Sequence, residues 1–282
     1  MKTKKSLKEL LEFGIINIDK PAGPTSFDVS DLVREKLGLR KTSHFGTLDP
    51  KVTGVLPVAL NRACKLTGYF LGEDKEYIGV MRIHKDVALK EIEKAIKEKF
   101  IGKIMQLPPV KSRVKRQERQ REIKSFKILE KDGQNILFRA EVEGGTYIRK
   151  LISDLGDYMK IGAHMLELRR IRAGIFKEET CVNLYDFEKA IEDEKKLKEI
   201  IIPGEIITEL HPVVKIKKEY LDRVFHGSPI HDNFLSKKVK FKTGESVCVF
   251  SDIRFVGVYQ VINQNKIFAK PKFVLQPIKN ER

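Results

Sequence analysis

The carboxylate of Asp49 lies in a loop whose composition suits presentation to a ligand. The loop covers residues 46–54, and Pro50 biases the backbone of Asp49 away from helix and toward an extended conformation. His44 and Lys51 are close in sequence, so the carboxylate stands among basic groups. A carboxylate placed in this way can act as a nucleophile or as a base. Spacing alone, however, favours a plain Asp-Pro turn, or a helix N-cap with proline at the first helical position.

The elements that must position this loop are predicted from apolar periodicity and from turn residues. A helix is expected to begin with Thr25 or Ser26 as its N-cap and to end at Gly38. Asp132-Gly133 predicts a β-hairpin. The predicted elements are, in order, strands at 15–18, 55–60 and 77–83, a helix at 86–100, strands at 125–130 and 135–143, a helix after Gly145 that buries Ile148, Leu151, Ile152 and Leu155, a strand at 163–176, and helices at 186–201 and 218–225.

The charge of the chain indicates a polyanionic partner. The 282 residues include 55 Lys or Arg against 39 Asp or Glu, a net charge of +16. Residues 211–282 hold 14 Lys or Arg against 6 Asp or Glu, which is half of this net charge, in a β-rich stretch of short strands. Such an excess favours nucleic acid, because neutralised phosphates release their condensed counterions. A lysine-rich surface of the kind found in thermophiles is the alternative.

The cysteines and the apolar runs exclude several classes of protein. Cys64, Cys181 and Cys248 are far apart and odd in number, so they form neither a disulfide framework nor a metal-binding spacing. No apolar run approaches the roughly 18 residues of a membrane-spanning helix. No apolar signal-peptide core follows the basic start of the chain. These features predict a soluble protein of a reducing interior.

The loop around Asp49 reads Gly46-Thr47-Leu48-Asp49-Pro50-Lys51-Val52-Thr53-Gly54, and it resembles the catalytic motif of the TruB family of pseudouridine synthases. Four further segments resemble that family in the expected order, and the resemblance covers residues 14–184. Five motifs in one order are far more specific than any one of them. The other four segments are Asn17-Ile18-Asp19-Lys20-Pro21-Ala22-Gly23-Pro24-Thr25-Ser26, Lys75-Glu76-Tyr77, Pro108-Pro109-Val110-Lys111-Ser112 and Gly144-Gly145-Thr146-Tyr147-Ile148-Arg149.

Within the family, residues 79–85 are most similar to the archaeal and eukaryotic, dyskerin-type enzyme of H/ACA ribonucleoproteins. This resemblance implies that the substrate is uridine in ribosomal RNA, selected by pairing with an H/ACA guide RNA. It implies as partners a small zinc-ribbon-type protein, a Gar-type protein and a kink-turn-binding protein. It also implies a cytoplasmic location in a prokaryote and a nucleolar one in a eukaryote. Two other functions stay open, namely a guide-independent enzyme acting on the tRNA T-loop and a non-catalytic RNA-binding scaffold for ribosome assembly.

The resemblance implies a role in the reaction for Asp49, Arg149 and Tyr77. Asp49 attacks either the uracil ring or the sugar carbon, Arg149 pairs with Asp49, and Tyr77 stacks on the flipped base. The reaction breaks and remakes a bond between uracil and ribose, and it needs no metal and no cofactor. From the residues alone, Arg149 is an exposed helix arginine and Tyr77 an ordinary strand aromatic. Substrate contacts are expected from Tyr147, Leu168, Lys20 and His44, for which the alternatives are core positions or a solvated turn.

Residues 111–124, the basic segment, show no apolar stripe that would bind them to a core. A solvated charged loop is the usual interpretation of such a run. The segment matches in position the mobile thumb loop of the family, which implies contact with substrate RNA. The residues expected to make this contact are Lys111, Arg113, Lys115, Arg116 and Arg119.

The resemblance and the elements together predict an α+β protein. Residues 14–204 are expected to form a pseudouridine synthase catalytic domain on a mixed sheet, and residues 211–282 a small β-barrel-like PUA domain that binds RNA. The N-terminal residues 1–13, which are also basic, are expected to pack on the PUA domain. Phe45 departs from the family, which usually has a small polar residue there, so a change in loop packing or a ring that stacks on RNA is expected.

Overall fold

The computed structural model describes residues 5–108 and 115–277 and divides the chain into two compact units. One unit is Ile15–Ile201, and the other combines Met1–Gly14 with Ile202–Arg282. The strands are β1 (Gly14–Lys20), β2 (Thr42–His44), β3 (Thr53–Leu60), β4 (Lys75–Ile83), β5 (Gly102–Gln106), β6 (Arg119–Asp132), β7 (Asn135–Val142), β8 (Ala163–Ala173), β9 (Phe176–Lys177), β10 (Val182–Asn183), β11 (Ile201–Pro203), β12 (Val213–Lys215), β13 (Ile230–His231), β14 (Ser246–Ser251), β15 (Arg254–Gln264) and β16 (Ile267–Val274).

The α-helices of the described residues are short and amphipathic. None of those within residues 5–108 and 115–277 is long and apolar enough to cross a membrane. They are α1 (Leu7–Glu12), α2 (Ser26–Lys36), α3 (Thr67–Leu71), α4 (Leu89–Lys99), α5 (Ile148–Tyr158), α6 (Leu184–Ile191), α7 (Glu194–Ile200) and α8 (Leu221–Phe225).

The unit Ile15–Ile201 is built on one large mixed sheet. Its strands run in the order β10-β1-β3-β8-β4-β7-β6-β5, with β2 added to β3 and β9 to β8. β3 and β8 are parallel, whereas β1 pairs with β3 and β4 with β8 in antiparallel fashion. Helix α5 packs on β8 and α2 on β2. The predicted α+β class with a mixed sheet is confirmed.

Several local predictions are confirmed by the structure. Thr25 is the N-cap of α2, and with Asp28 it forms a reciprocal capping box, which satisfies two backbone N–H groups at the helix start. Gly38 follows the end of this helix with φ +59°. The hairpin of β6 and β7 pairs Asp132 with Asn135 across a two-residue turn.

Other element predictions were wrong, each for a local reason. The basic segment is only partly a loop, because β6 begins at Arg119 and pairs with β5, a strand that the periodicity did not indicate. Ile123 supplies the buried side chain that holds this part of β6 to the core. The helix predicted at 186–201 is two helices, since Asp193 caps a new helix start. The strand predicted at 163–176 ends at Ala173, after which Gly174 turns the chain with φ +60°.

The second unit contains a five-stranded sheet in the order β12-β14-β15-β16-β13. Its core is apolar and includes the buried Tyr259 and Phe268. The N-terminal segment belongs to this unit, where the ring of Phe13 stacks on that of Phe255 with centroids 5.5 Å apart. The helix predicted at 218–225 is a 3-10 turn, Lys218–Tyr220, followed by α8.

The close approach of β3 and β8 predicts a difference between two glycine substitutions. A Cβ on Gly54 would lie 2.2 Å from the carbonyl oxygen of Arg170, and its φ is +100°, whereas a Cβ on Gly38 (φ +59°) meets nothing within 4 Å. We expect Gly38→Ala to cost about 1 kcal/mol of unfolding free energy for the left-handed backbone. Gly54→Ala should cost at least about 2 kcal/mol more, since the strands must also separate. Urea unfolding of the full chain measures both, and equal costs would contradict the tight approach.

Candidate active site

The centre of the site is an ion pair between the loop before β3 and the start of α5. The Nε of Arg149 lies 2.8 Å from Oδ2 of Asp49. Both side chains are about half exposed, 54% for Arg149 and 45% for Asp49, so the pair is open to a ligand. Ile148, Leu151 and Ile152 turn the buried face of α5 inward and leave Arg149 on the other side. A guanidinium at this distance attracts the carboxylate strongly, and this attraction restrains the direction of the Asp49 side chain.

The backbone on both sides of Asp49 is fixed by the turn that precedes α2. The Ser26 hydroxyl accepts a hydrogen bond from the N–H of Leu48 at 2.8 Å and donates one to its carbonyl at 3.1 Å. The N–H of Gly23 donates to the carbonyl of Pro50 at 2.9 Å. Because Leu48 and Pro50 are the two neighbours of Asp49, the carboxylate is presented from a rigid backbone. Ser26 was predicted as a possible helix cap, and its contact with the loop was missed.

Lys20 is buried beneath the loop. Its side chain is buried, and its Nζ donates to the carbonyls of Pro21, Pro50 and Val52 at 2.7, 3.0 and 2.9 Å. An ammonium has three protons to donate, so these bonds use all of them. Burial lowers the pKa of this lysine, and the nearby Asp49 opposes the shift. Lys20 was expected to contact the substrate, but in this structure its side chain supports the backbone of the loop.

Arg170 closes the loop from the other side, a role that no motif in the sequence indicated. It is 1% exposed, and its Nε and Nη2 donate to the carbonyls of Val55 and Gly46 at 2.8 and 2.9 Å. These two acceptors lie at opposite ends of the loop. Arg170 follows Leu168 by two positions in β8, and alternate residues of a strand face the same side. Because Leu168 is apolar and expected to face inward, this spacing of two residues could have predicted that Arg170 also faces inward.

Phe45 packs in the core beside this loop. Its ring is buried and stacks on Phe70 with centroids 4.7 Å apart, while Phe70 meets Phe176 edge-on at 5.2 Å. The expectation that Phe45 stacks on RNA is wrong, because the ring is enclosed by these two aromatics. A large side chain is accommodated there because the neighbouring positions supply a matching aromatic cluster.

The remaining predicted site residues lie on the neighbouring strands β4 and β8 and at the start of α5. Tyr77 is buried in β4, in register with Arg170, and the buried Leu168 lies opposite Gly79. Tyr147 is the N-cap residue of α5, and its N–H donates to Oε1 of the buried Gln106 at 3.0 Å.

His44 and the basic segment complete the set of predicted positions. The Nε2 of His44 lies 3.1 Å from the hydroxyl of Thr47 in the loop, and burial followed by the charge of Arg170 lowers the pKa of His44. Lys115 and Arg116 are exposed ahead of β6, and Arg119 is its first residue. Lys111 and Arg113 lie outside the described residues.

Sequence comparison matches two consecutive stretches of the chain to known domain families. Residues 34–148 match the TruB family pseudouridylate synthase N-terminal domain, and residues 149–209 match the tRNA pseudouridylate synthase B C-terminal domain. A relative named probable tRNA pseudouridine synthase B, from Methanopyrus kandleri, is 42% identical and covers 87% of this chain and 74% of its own. A relative of the same name from Sulfurisphaera tokodaii is 38% identical and covers 97% of this chain and 86% of its own.

Solved structures show the same fold over nearly the whole chain. A chain in the crystal structure of a Cbf5–Nop10–Gar1 complex superposes with a TM-score of 0.88 at 37% identity, covering 97% of this chain and 88% of that one. A chain in the structure of an H/ACA ribonucleoprotein bound to a substrate RNA containing 2′-deoxyuridine gives 0.86 at 36% identity, with the same coverage.

The two carbonyl contacts of Arg170 predict that its loss frees the loop. Arg170→Met should lower the unfolding free energy by about 2–4 kcal/mol, because two buried carbonyls lose their donor. Arg82→Met is the matched control, since Arg82 is an exposed strand arginine, and its effect should stay within about 0.5 kcal/mol. Urea unfolding gives the energies, and hydrogen exchange of residues 46–55 should accelerate only in Arg170→Met. Unchanged exchange there would show that Arg170 does not hold the loop.

Proposed function

Since the chain belongs to the TruB family of RNA pseudouridine synthases, we propose that it modifies uridines of ribosomal RNA that are selected by an H/ACA guide RNA. The observation that carries this proposal is the superposition on a chain of the Cbf5–Nop10–Gar1 complex, which extends over 97% of the protein, including the C-terminal unit. The second such structure contains an H/ACA particle with substrate RNA. Phosphate contacts of a basic protein carry no sequence information, so a guide RNA that selects the uridine by base pairing would suit this chain.

A guide-independent enzyme of the tRNA T-loop is the second candidate. The names of the curated relatives favour it, since they are called tRNA pseudouridine synthase B. Both candidates use the same chemistry, but they differ in the RNA that is modified and in how the uridine is selected.

In the proposed reaction Asp49 is the nucleophile. Its carboxylate attacks either the uracil ring or the sugar carbon, and the bond between the uracil nitrogen and the sugar breaks. The uracil then rotates, a carbon of the ring bonds to the sugar, and the proton on that carbon is lost as the freed nitrogen gains one. The carboxylate of Asp49 is regenerated at the end, and substrate and product are isomers because no atom is gained or lost. Covalent participation of a carboxylate divides one difficult exchange into easier steps.

Arg149 is the proposed orienting group for this nucleophile. Its contact with Oδ2 holds the carboxylate in one direction, while the hydrogen bonds of Leu48 and Pro50 hold the backbone. Fixing a reacting group before the substrate arrives removes part of the entropic barrier.

The flipped uracil needs a pocket, which we assign to the residues around Asp49. Tyr77 is the proposed stacking partner of the base, because a flipped base is held between aromatic or apolar side chains. Leu168 from the neighbouring strand, Tyr147 near Arg149, and His44 at the end of β2 are the proposed walls of this pocket.

The remaining basic surfaces are proposed to bind RNA backbone. Lys115, Arg116 and Arg119 of the described chain, with Lys111 and Arg113, are the proposed contacts of the basic segment. The unit of Met1–Gly14 and Ile202–Arg282 is proposed to be a PUA domain that binds the guide RNA. The proposed protein partners are those that the family resemblance implies, a small zinc-ribbon-type protein, a Gar-type protein and a kink-turn-binding protein. Support for protein subunits comes from the structural relatives, one of which is a complex with Nop10 and Gar1.

Asp49→Asn is predicted to abolish turnover without weakening RNA binding. The amide keeps the size of the side chain but cannot act as the nucleophile, so we expect conversion to fall by about 1,000-fold or more, and Arg149→Lys to lose about 100-fold through poorer orientation. Asp31→Asn on α2 is the control and should convert RNA at the normal rate. Single-turnover pseudouridine mapping and a binding titration measure both properties. Conversion by Asp49→Asn at the normal rate would exclude Asp49 as the catalytic carboxylate.

The guided function predicts a dependence on added RNA and proteins. Purified protein is mixed with an rRNA fragment and, separately, with a tRNA T-arm hairpin, each with and without guide RNA and the partner proteins. We expect pseudouridine in the rRNA fragment only when the guide is present. Conversion of the T-arm alone, without guide, would favour the tRNA enzyme. Binding of both RNAs without any conversion would favour the assembly scaffold.

A further inference from the structure

Phe27 is an exposed aromatic ring beside the candidate active site. It is the second residue of α2, and it is 67% exposed. The neighbours Ser26, Val29 and Ser30 form the buried face of this part of the helix, so the ring of Phe27 contributes little to the core. A single exposed apolar residue is common on soluble proteins. The position of this one calls for an explanation.

The hydrogen bonds of the loop place Phe27 close to Asp49. Ser26, the residue before Phe27, binds both backbone groups of Leu48, the residue before Asp49. Because consecutive Cα atoms are about 3.8 Å apart, this path puts the Cα atoms of Phe27 and Asp49 within roughly 14 Å of each other. The turn and helix cap next to Phe27 also hold its backbone at a fixed place relative to the loop.

We propose that Phe27 is a stacking platform for a nucleobase next to the uridine that enters the site. When one base is flipped out of an RNA, its neighbours lose a stacking partner. A flat apolar ring on a rigid support replaces that partner, and aromatic side chains commonly bind unpaired RNA bases in this way. Lys51, exposed two residues after Asp49, supplies a positive charge for the adjoining phosphate. The proposal rests on the RNA pseudouridine synthase activity but not on the guide.

The contribution of Phe27 should appear in substrate binding. Base stacking on an aromatic ring contributes about 1–3 kcal/mol per base, which is roughly a 5- to 150-fold change in affinity. We expect Phe27→Ala to raise the KM for RNA about tenfold with a small change in kcat, whereas Phe27→Tyr should restore normal values. Tyr185→Ala is the matched control, because Tyr185 is a 66% exposed aromatic on α6 of the same unit, and its KM should not change.

A direct measurement of stacking uses the absence of tryptophan from the sequence. Phe27→Trp then carries the only tryptophan of the chain, and Tyr185→Trp is its matched fluorescence control. Both are made in the Asp49→Asn background, so that bound RNA is not converted. The probes are a tRNA T-arm hairpin and an rRNA fragment paired to guide RNA. We expect the RNA that binds to quench Phe27→Trp emission strongly and to leave Tyr185→Trp emission unchanged.

Two outcomes would overturn the proposal. One is RNA binding with normal affinity by Phe27→Ala and no change in Phe27→Trp emission. The other is emission that responds to the partner proteins added without RNA, which would assign the ring to a protein interface. Failure of the guided function is distinguished from these results, because it appears as conversion of the T-arm alone by the unmodified protein, while the emission titration reads stacking on either RNA.

Discussion

Two buried cations hold the loop that carries Asp49, and the rest of the site depends on them. Lys20 and Arg170 are both buried, and together they donate hydrogen bonds to five backbone carbonyls. A charge removed from water is costly unless it is fully hydrogen-bonded. The loop backbone provides most of those acceptors. The two buried cations therefore keep their hydrogen bonds only when the loop has this conformation. The conformation of the loop is therefore coupled to the stability of the catalytic unit.

This arrangement combines a fixed backbone with accessible reactive side chains. Leu48 is buried and bound on both of its polar backbone groups, whereas Asp49 and Arg149 project into solvent. An ion pair with this exposure contributes only about 0–1 kcal/mol to stability. In the proposed reaction the pair orients the carboxylate, and its attraction would strengthen where a bound RNA excluded water.

In the proposed function the unit Ile15–Ile201 and the second unit have separate tasks. Every described residue proposed for the chemistry lies within Ile15–Ile201, on β2, β4 or β8, in the loop before β3, or at the start of α5. The C-terminal 72 residues have half of the net charge of the chain and a separate apolar core. If the proposed function holds, changes in the basic residues of the second unit can alter RNA binding without changing the contacts that hold the loop.

The sequence by itself determined the local elements and the family. Thr25 and Asp28 form their capping box within one helical turn, the hairpin of β6 and β7 turns within two residues, and the buried stripe of α5 leaves Arg149 outside. These features depend on neighbours in the chain, so short patterns predict them. The TruB resemblance likewise depends on ordered motifs that can be read directly.

The tertiary structure alone decided which side chains support the loop. Arg170 bonds to Val55 and Gly46, which are 115 and 124 positions away in the chain, and Phe45 is enclosed by Phe70 and Phe176. Lys20 reads as a surface lysine beside a proline turn, yet it is buried. Such partners are set by strand order and register between distant segments, and no local pattern of residues records that register.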